Sequence, residues 1–241
     1  CWNTEADGTG SAFNAGDKVK GLVRFGFVTL YAQWKNVTSG TTAGHDWVDL
    51  GLSVKWATYN VGATKPEEYG NRYAWGETKP RTTSDVTSYK WGNGSYASPS
   101  YKKYCTHSSY GTVDNKTVLE LADDAARANW GGAWRMPTKE EQDELRENCT
   151  WTWTTENGVN GYRVTSNKEG YTDKSIFLPA AGYRDDSSLN SAGSYGFYWS
   201  GSLLTLTDYP YNAYELDFNS GSVYWSSSGR GCGQSVRPVC P

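Results

Sequence analysis

The sequence predicts an α+β domain: two helix signals come early, and everything after residue 148 reads as strand and turn. The first helix signal is Asp123–Trp130, which opens on acids, continues with good helix formers and stops at Gly131-Gly132. The second is Thr138–Asn148, where Thr138 with Glu141 three residues on forms a capping box just after Pro137. Its remaining charges read as a solvated face. The strand meander that follows is the third observation.

Taken in order, residues 1–35 read as a small β unit. Ala6–Gly10 and Asn14–Asp17 are turn chemistry, and Val28–Trp34 closes the unit. Residues 36–44 are small and polar, a linker by composition. The main domain then runs over residues 45–241. Trp47–Thr58 alternates enough for one or two strands. Pro66–Gly70 reads as a single helical turn, and Thr78–Ser109 as a long surface excursion. Thr150–Thr154 alternates, with Asn157-Gly158 and Asn160-Gly161 as turn pairs ahead of Tyr162–Thr165. Ser175–Tyr183 is an apolar core strand. Ala213–Phe218, the turn Asn219–Gly221 and Ser222–Trp225 form a hairpin by alternation, and Gln234–Val239 closes the domain.

With 241 residues the chain is long enough to bury a substantial core. A net charge of −3 leaves electrostatics unable to hold nucleic acid or an acidic membrane surface by themselves. No run of about 18 apolar residues is present to span a bilayer. The chain opens in mid-pattern at Cys1-Trp2-Asn3 and reads as a cut fragment, so a missing signal peptide says little about export. The five cysteines avoid Cys-x-x-Cys spacing and there are two histidines, so neither a metal cage nor a cofactor is expected. One or two disulfides are compatible with export, and their pairing stays open.

The strongest functional signal is compositional. From Ser175 onward the chain has no lysine and one glutamate, Glu215, while Tyr, Ser, Gly and Asn fill 22 of the 40 positions in Ser194–Gly233. Tyrosine offers large amphipathic contact area for two torsions, and the small polar residues offer adaptable hydrogen bonding, which is the chemistry of antibody combining sites. Recognition is expected rather than catalysis. The candidate ligand-binding residues are Tyr195, Tyr209, Tyr211, Asn212, Tyr214, Tyr224, Ser226, Ser227, Ser228, Gly229, Arg230 and Cys232. Trp199, Leu216, Phe218, Trp225 and Val236 are their expected inward anchors. Alternation places Tyr224 and Ser226 together, opposite Trp225. The bland alternative is that Ser226–Gly233 is a polar turn between the last strands.

Trp2–Gly10 with Val28–Lys35 resembles the Listeria–Bacteroides repeat, a small β module of bacterial surface proteins; only its second half is present, and Cys1 stands where glycine is common. That resemblance implies a stalk on the cell surface. Five ordered motifs cover residues 45–240: Trp47–Leu52, Tyr73–Glu77, Gly131–Leu145, Leu178–Arg184 and Ser235–Val239. Together they resemble the Fibrobacter succinogenes major paralogous domain. The resemblance implies a C-type lectin fold of the formylglycine-generating-enzyme-like branch. The pattern is also similar to variable proteins of diversity-generating retroelements, which implies adenine-directed change of an exposed binding face. Asparagine codons randomised at their first two bases reach Ser, Gly, Arg and Cys, the residue types found at positions 226–232. The implied partner is a protein or glycan on another cell, phage or host surface. The implied location is the bacterial outer surface, on a lipoprotein or phage-encoded protein held through a missing N-terminal anchor.

Two other readings fit parts of the chain. A fixed-specificity carbohydrate-binding adhesin is the alternative binder, although the Glu-Pro-Asn, Gln-Pro-Asp and Trp-Asn-Asp motifs of calcium-dependent sugar binding are missing. An oxidase resembling formylglycine-generating enzymes would need a flanking cysteine pair that Cys232 and Cys240 do not supply, and sulfoxide synthases need three histidines. Cys105 with His107, and the acid pairs Asp123-Asp124 and Asp185-Asp186, are the remaining catalytic candidates; dipole complement and turn roles are the simpler reading of the acids.

Overall fold

The computed structural model describes residues 2–7, 9–14, 16–18, 27–32, 37–82, 88–93, 98–185, 188–206 and 208–241. The chain divides into two compact units, Cys1–Val37 and Thr38–Pro241. In the first, β1 (Trp2–Asn3) lies between β2 (Ala12–Phe13) and β3 (Tyr31–Ala32), both antiparallel to it. Buried Asn3 shapes the first turn: its Nδ2 donates to Gly10 O and its Oδ1 accepts from Glu5 N. Cys1, Gly8, Ala15 and residues 33–36, which carry part of the repeat resemblance, lie outside the described residues.

The second unit corrects the predicted fold class. Among the described residues the chain is 38% strand and 11% helix, arranged as five small separate sheets with two α-helices, and its class is largely β and sandwich-like. The α+β, C-type-lectin arrangement expected from the motifs does not hold. Both helix signals form helices, the first beginning at Ala125 because Asp123 ends a 3-10 turn and Asp124 is the cap, the second beginning at Lys139 after its cap Thr138. Pro66–Gly70 is a plain turn held by Glu68 N donating to Lys65 O and by the Glu68 carboxylate on Thr64. Part of the linker is also strand. β4 (Ser39–Thr42) pairs with β5 (His45–Val48), because Gly40 lets the Trp47 ring lie flat against the backbone where a Cβ would clash.

β5 continues to β6 (Lys55–Ala57), and β15 (Val239–Cys240) completes that sheet in the order β15-β6-β5-β4. Helix α1 spans Ala125–Trp130, capped by Asp124, which accepts from Arg127 N. Helix α2 spans Lys139–Asn148 with the full capping box, Thr138 and Glu141 each satisfying the other's backbone N–H. Arg135 clamps the Glu141 carboxylate with two hydrogen bonds. Removing the Thr138 hydroxyl strands a buried-side donor at the helix start. Thr138→Ala should therefore lower stability by about 1 kcal/mol, read as a shifted urea midpoint with an unchanged slope.

β7 (Cys149–Glu156) and β8 (Val159–Ser166) meet at Asn157-Gly158, where both residues have positive φ, as a two-residue hairpin turn requires. Asn160-Gly161, read as a second turn, sits inside β8. Gly161 is there because a Cβ would lie 2.3 Å from Leu178 O on β9 (Ser175–Pro179). β10 (Tyr183–Asp185) and β11 (Ser188–Asn190) form a short hairpin. The last sheet is β12 (Tyr195–Leu203), β13 (Asn212–Asn219) and β14 (Ser222–Gly229), antiparallel in that order, with Asn219 Oδ1 accepting from Gly221 N in the final turn.

Two large apolar clusters hold the unit, with a smaller one around Tyr89, Tyr101 and Cys105. One gathers Trp75, Trp134, Trp199, Leu203 and Val236; the other Leu50, Trp56, Leu145, Leu178, Leu216 and Phe218. Three of the buried indoles keep N–H partners: Trp75 donates to Ser200 O, Trp199 to Tyr73 O and Trp134 to Thr42 O, whereas the Trp56 indole N–H is buried without one. No helix among the described residues is long and apolar enough to cross a membrane.

Candidate ligand-binding face

Period-two alternation divides the β12–β14 sheet into two faces. On one lie Tyr198, Leu216, Phe218 and Trp225, with Tyr214 and Ser227; on the other lie Tyr195, Phe197, Glu215, Asp217, Tyr224, Ser226 and Ser228. The predicted pairing of Tyr224 with Ser226 opposite Trp225 follows from this register. The predicted binding residues are nevertheless not one patch, and four of them are interior.

Tyr195 and Tyr224 are exposed, at 37% and 40%. Tyr195 stacks on Phe197, and Tyr183 from β10 meets Phe197 edge-on with centroids 4.9 Å apart. Ser226 and Ser228 are half-buried beside them. At the open end of the face a groove of about 400 Å³ runs past Tyr195, Asn219, Ser194 and Trp153.

Tyr214 and Ser227 belong to the opposite face. Tyr214 packs edge-on against Trp225 at 5.5 Å, and Lys139 from α2 lies over both rings. Trp225, predicted to be an inward anchor, is 46% exposed, because α2 and β14 leave its outer side uncovered. Tyr209 is exposed and meets Tyr211 edge-on, while Tyr211 packs against the Tyr89–Tyr101–Cys105 cluster. These two line neither sheet face.

Asn212, Gly229, Arg230 and Cys232 are buried and are corrected as contact residues. Asn212 Nδ2 donates to Ser227 Oγ across the hairpin. Arg230, expected as a binding hot spot, is 3% exposed. Its guanidinium lies 3.9 Å from the Tyr101 ring and donates to Tyr104 O and to Pro210 O, tying two loops to the end of β14. Cys232 packs with Trp199 and Val236. Tight turns at the end of β14 carry the chain inward, and Gly229–Cys240 is buried throughout. Ser226–Gly233 is therefore strand followed by core, not a surface turn.

Sequence reasoning missed the acids beneath the exposed face. Glu215 and Asp217 are buried on alternate positions of β13, on the same side as Tyr224. Ser228 and Gln234 donate to the Glu215 carboxylate, and Tyr224 to that of Asp217. No lysine, arginine or histidine forms an ion pair with either among the described residues. Burial pushes Glu215 up to about 7, with the Asp217 charge adding to the effect, and burial likewise raises Asp217. The signal was available: Glu215 is the one glutamate after Ser175, and it alternates with Leu216 and Phe218.

The catalytic candidates have structural partners. Cys105 Sγ donates to His107 O, while His107 Nδ1 accepts from Ser109 N, so the thiol and imidazole do not face each other as nucleophile and base. Asp124 caps α1 and accepts from Met136 N, and Asp123 holds Lys90, Lys103 and the Tyr104 hydroxyl. Asp185 is exposed, and Asp186 lies outside the described residues. No cluster of three or more metal-ligating side chains occurs among the described residues.

Residues 146–239 are similar to a family described as a domain of unknown function (DUF8237), a match that takes in β7–β14 and covers less than half of the chain. No curated protein and no solved structure matches the chain.

Proposed function

We propose that this is a ligand-binding protein without catalytic function, displayed at a bacterial surface, that holds a protein or glycan against the Tyr195–Tyr224 face of the β12–β14 sheet. The observation that carries the reading is a division of labour along single strands. Tyr195, Tyr224 and Ser226 lie on one face, the two tyrosines exposed and Ser226 half-buried, while Tyr198, Leu216 and Phe218 on the opposite face of the same strands are nearly or fully buried. A rigid scaffold with adaptable outward positions suits recognition by tyrosine contact and small polar hydrogen bonding. It also suits diversification of those positions by a retroelement, since changes at Tyr224, Ser226 and Ser228 would spare the anchors. A near-copy of the encoding DNA differing at adenines, beside a reverse transcriptase gene, would test that part directly.

Binding is tested by screening the protein on glycan and peptide arrays and repeating the strongest hit with variants. Tyr195→Ala with Tyr224→Ala should weaken the hit by at least about tenfold, roughly 1.4 kcal/mol, with a melting temperature within a few degrees of the parent. Tyr214→Ala, on the other face, should leave affinity unchanged. Retained affinity in the double variant, or loss in Tyr214→Ala alone, would refute the assigned face.

A further inference from the structure

We propose that the Tyr195–Tyr224 face seats a positively charged amine or guanidinium of its ligand over Asp217, between Phe197 and Tyr224. The inference rests on the binding role proposed above and names the chemistry that the face selects.

Asp217 occupies the middle strand, and the ladder register places Phe197 directly beside it on β12 and Tyr224 directly beside it on β14. Neighbouring strands lie about 4.8 Å apart, so the carboxyl group is flanked by an aromatic residue on either strand. Tyr195 stacks on Phe197 and lengthens the aromatic flank on that strand. Asp217 is more than nine-tenths buried, and its Oδ1 has no hydrogen-bond partner. Two residues along the same strand and face lies Glu215, also buried. Gln234 donates to Glu215, and Gln234 Oε1, from a different segment, is buried without a partner as well.

The unmet groups here are therefore acceptors, on a sheet face whose two acids form no ion pair among the described residues. A buried acceptor without a donor costs about 1–3 kcal/mol, and more when it is charged. A ligand that brings several N–H donors and a positive charge meets that need in one step. Flanking aromatics favour the same class of ligand, because the ring faces attract organic cations. Two carboxylates with amide and hydroxyl neighbours do not reach the three ligating groups that would point to a metal ion. A lysine or arginine side chain of a protein ligand, or an amino sugar, has the required chemistry.

The test titrates Nα-acetyl-lysine methylamide and Nα-acetyl-arginine methylamide into the full chain by calorimetry or NMR. The neutral Nε-acetylated lysine derivative serves as the comparison. Saturable binding of a cationic probe near ~1 mM, at least about tenfold weaker for the neutral probe, is expected. Asp217→Asn keeps the shape of the side chain and an acceptor for Tyr224, and should abolish the preference for charge. Equal affinity for charged and neutral probes, no saturable binding of either cationic probe, or unchanged charge preference in Asp217→Asn would overturn the proposal. If Asp217→Asn fails to fold, the parent protein's comparison of charged and neutral probes decides alone. An array ligand that is uncharged yet lost in the Tyr195→Ala, Tyr224→Ala variant would sink this inference and leave the binding face standing.

Discussion

Arg237→Ala should cost at least about 4 kcal/mol, enough to remove a large part of the stability of an ordinary domain. Arg237 is 2% exposed, and all its partners are uncharged: its Nε donates to Asn60 Oδ1, one terminal nitrogen to Ala57 O and Thr58 O, and the other to Phe177 O. Burial lowers its pKa to about 10, so the guanidinium is still protonated at neutral pH. Its fork joins β6, β9 and the C-terminal segment at one point. Asn60 extends the network by donating to Tyr69 O and to the Tyr198 hydroxyl, which itself donates to Pro179 O. Truncation would leave several buried acceptors unpaired at once. Lysine cannot reproduce a planar fork reaching four acceptors, so Arg237→Lys should recover only part of the loss. The measurement is the urea midpoint; a change under about 1 kcal/mol for Arg237→Ala would contradict this account.

Stability of this protein should fall as pH rises from about 4.5 to above 7, and Glu215→Gln should flatten that slope. Burial raises the folded-state pKa of Glu215 to about 7, from 4.5 for an ordinary glutamate. The folded protein thus holds a proton that the unfolded chain has released in this interval. A raised carboxyl pKa contributes stability below the unfolded value that is lost as pH climbs through the folded value. The charged groups near it do not reverse the sign: Asp217 on its own strand adds repulsion, and Gln234 and Ser228 contribute hydrogen bonds that only partly offset burial. Asp217 is shifted in the same direction by burial. At full effect the Glu215 proton is worth roughly 3 kcal/mol, or several degrees of melting temperature. Melting curves at pH 5 and pH 8 provide the check. A parent protein equally stable at both, or a Glu215→Gln variant that keeps the parent's slope, would exclude Glu215 as the source.

Local signals in the sequence carried well where one residue type decides the geometry. The Thr138–Glu141 capping box, the Asn157-Gly158 turn and the Asn219–Gly221 turn all appear where their chemistry places them, and the Ala213–Trp225 hairpin follows its alternation. Doublets with two uses misled: Asn160-Gly161 reads as a turn but serves close strand packing, which depends on Leu178, distant in sequence. Fold class failed for a related reason. Six- and ten-residue helices are strong local signals that say little about how many strands surround them. The face was half legible. Alternation separated Tyr224 and Ser226 from Trp225, but which side meets water depends on α2 and on the path of Gly229–Cys240. Arg230 illustrates the limit, since a guanidinium in a run of Ser and Gly suggests exposure until Tyr101 and two carbonyls are seen around it.

The burial of Gly229–Cys240 also bears on how the chain is made. Val236 completes one apolar cluster and Val239 the other, while Arg237 bridges strands that were synthesised long before it. A nascent chain that has reached β14 displays β5–β14 with both clusters unfinished, and neither can close until Gly229–Cys240 has been added. In such a topology the early strands cannot settle by themselves, so a chaperone that shields unfinished apolar surface should matter more for its yield than for that of a protein whose early segments can.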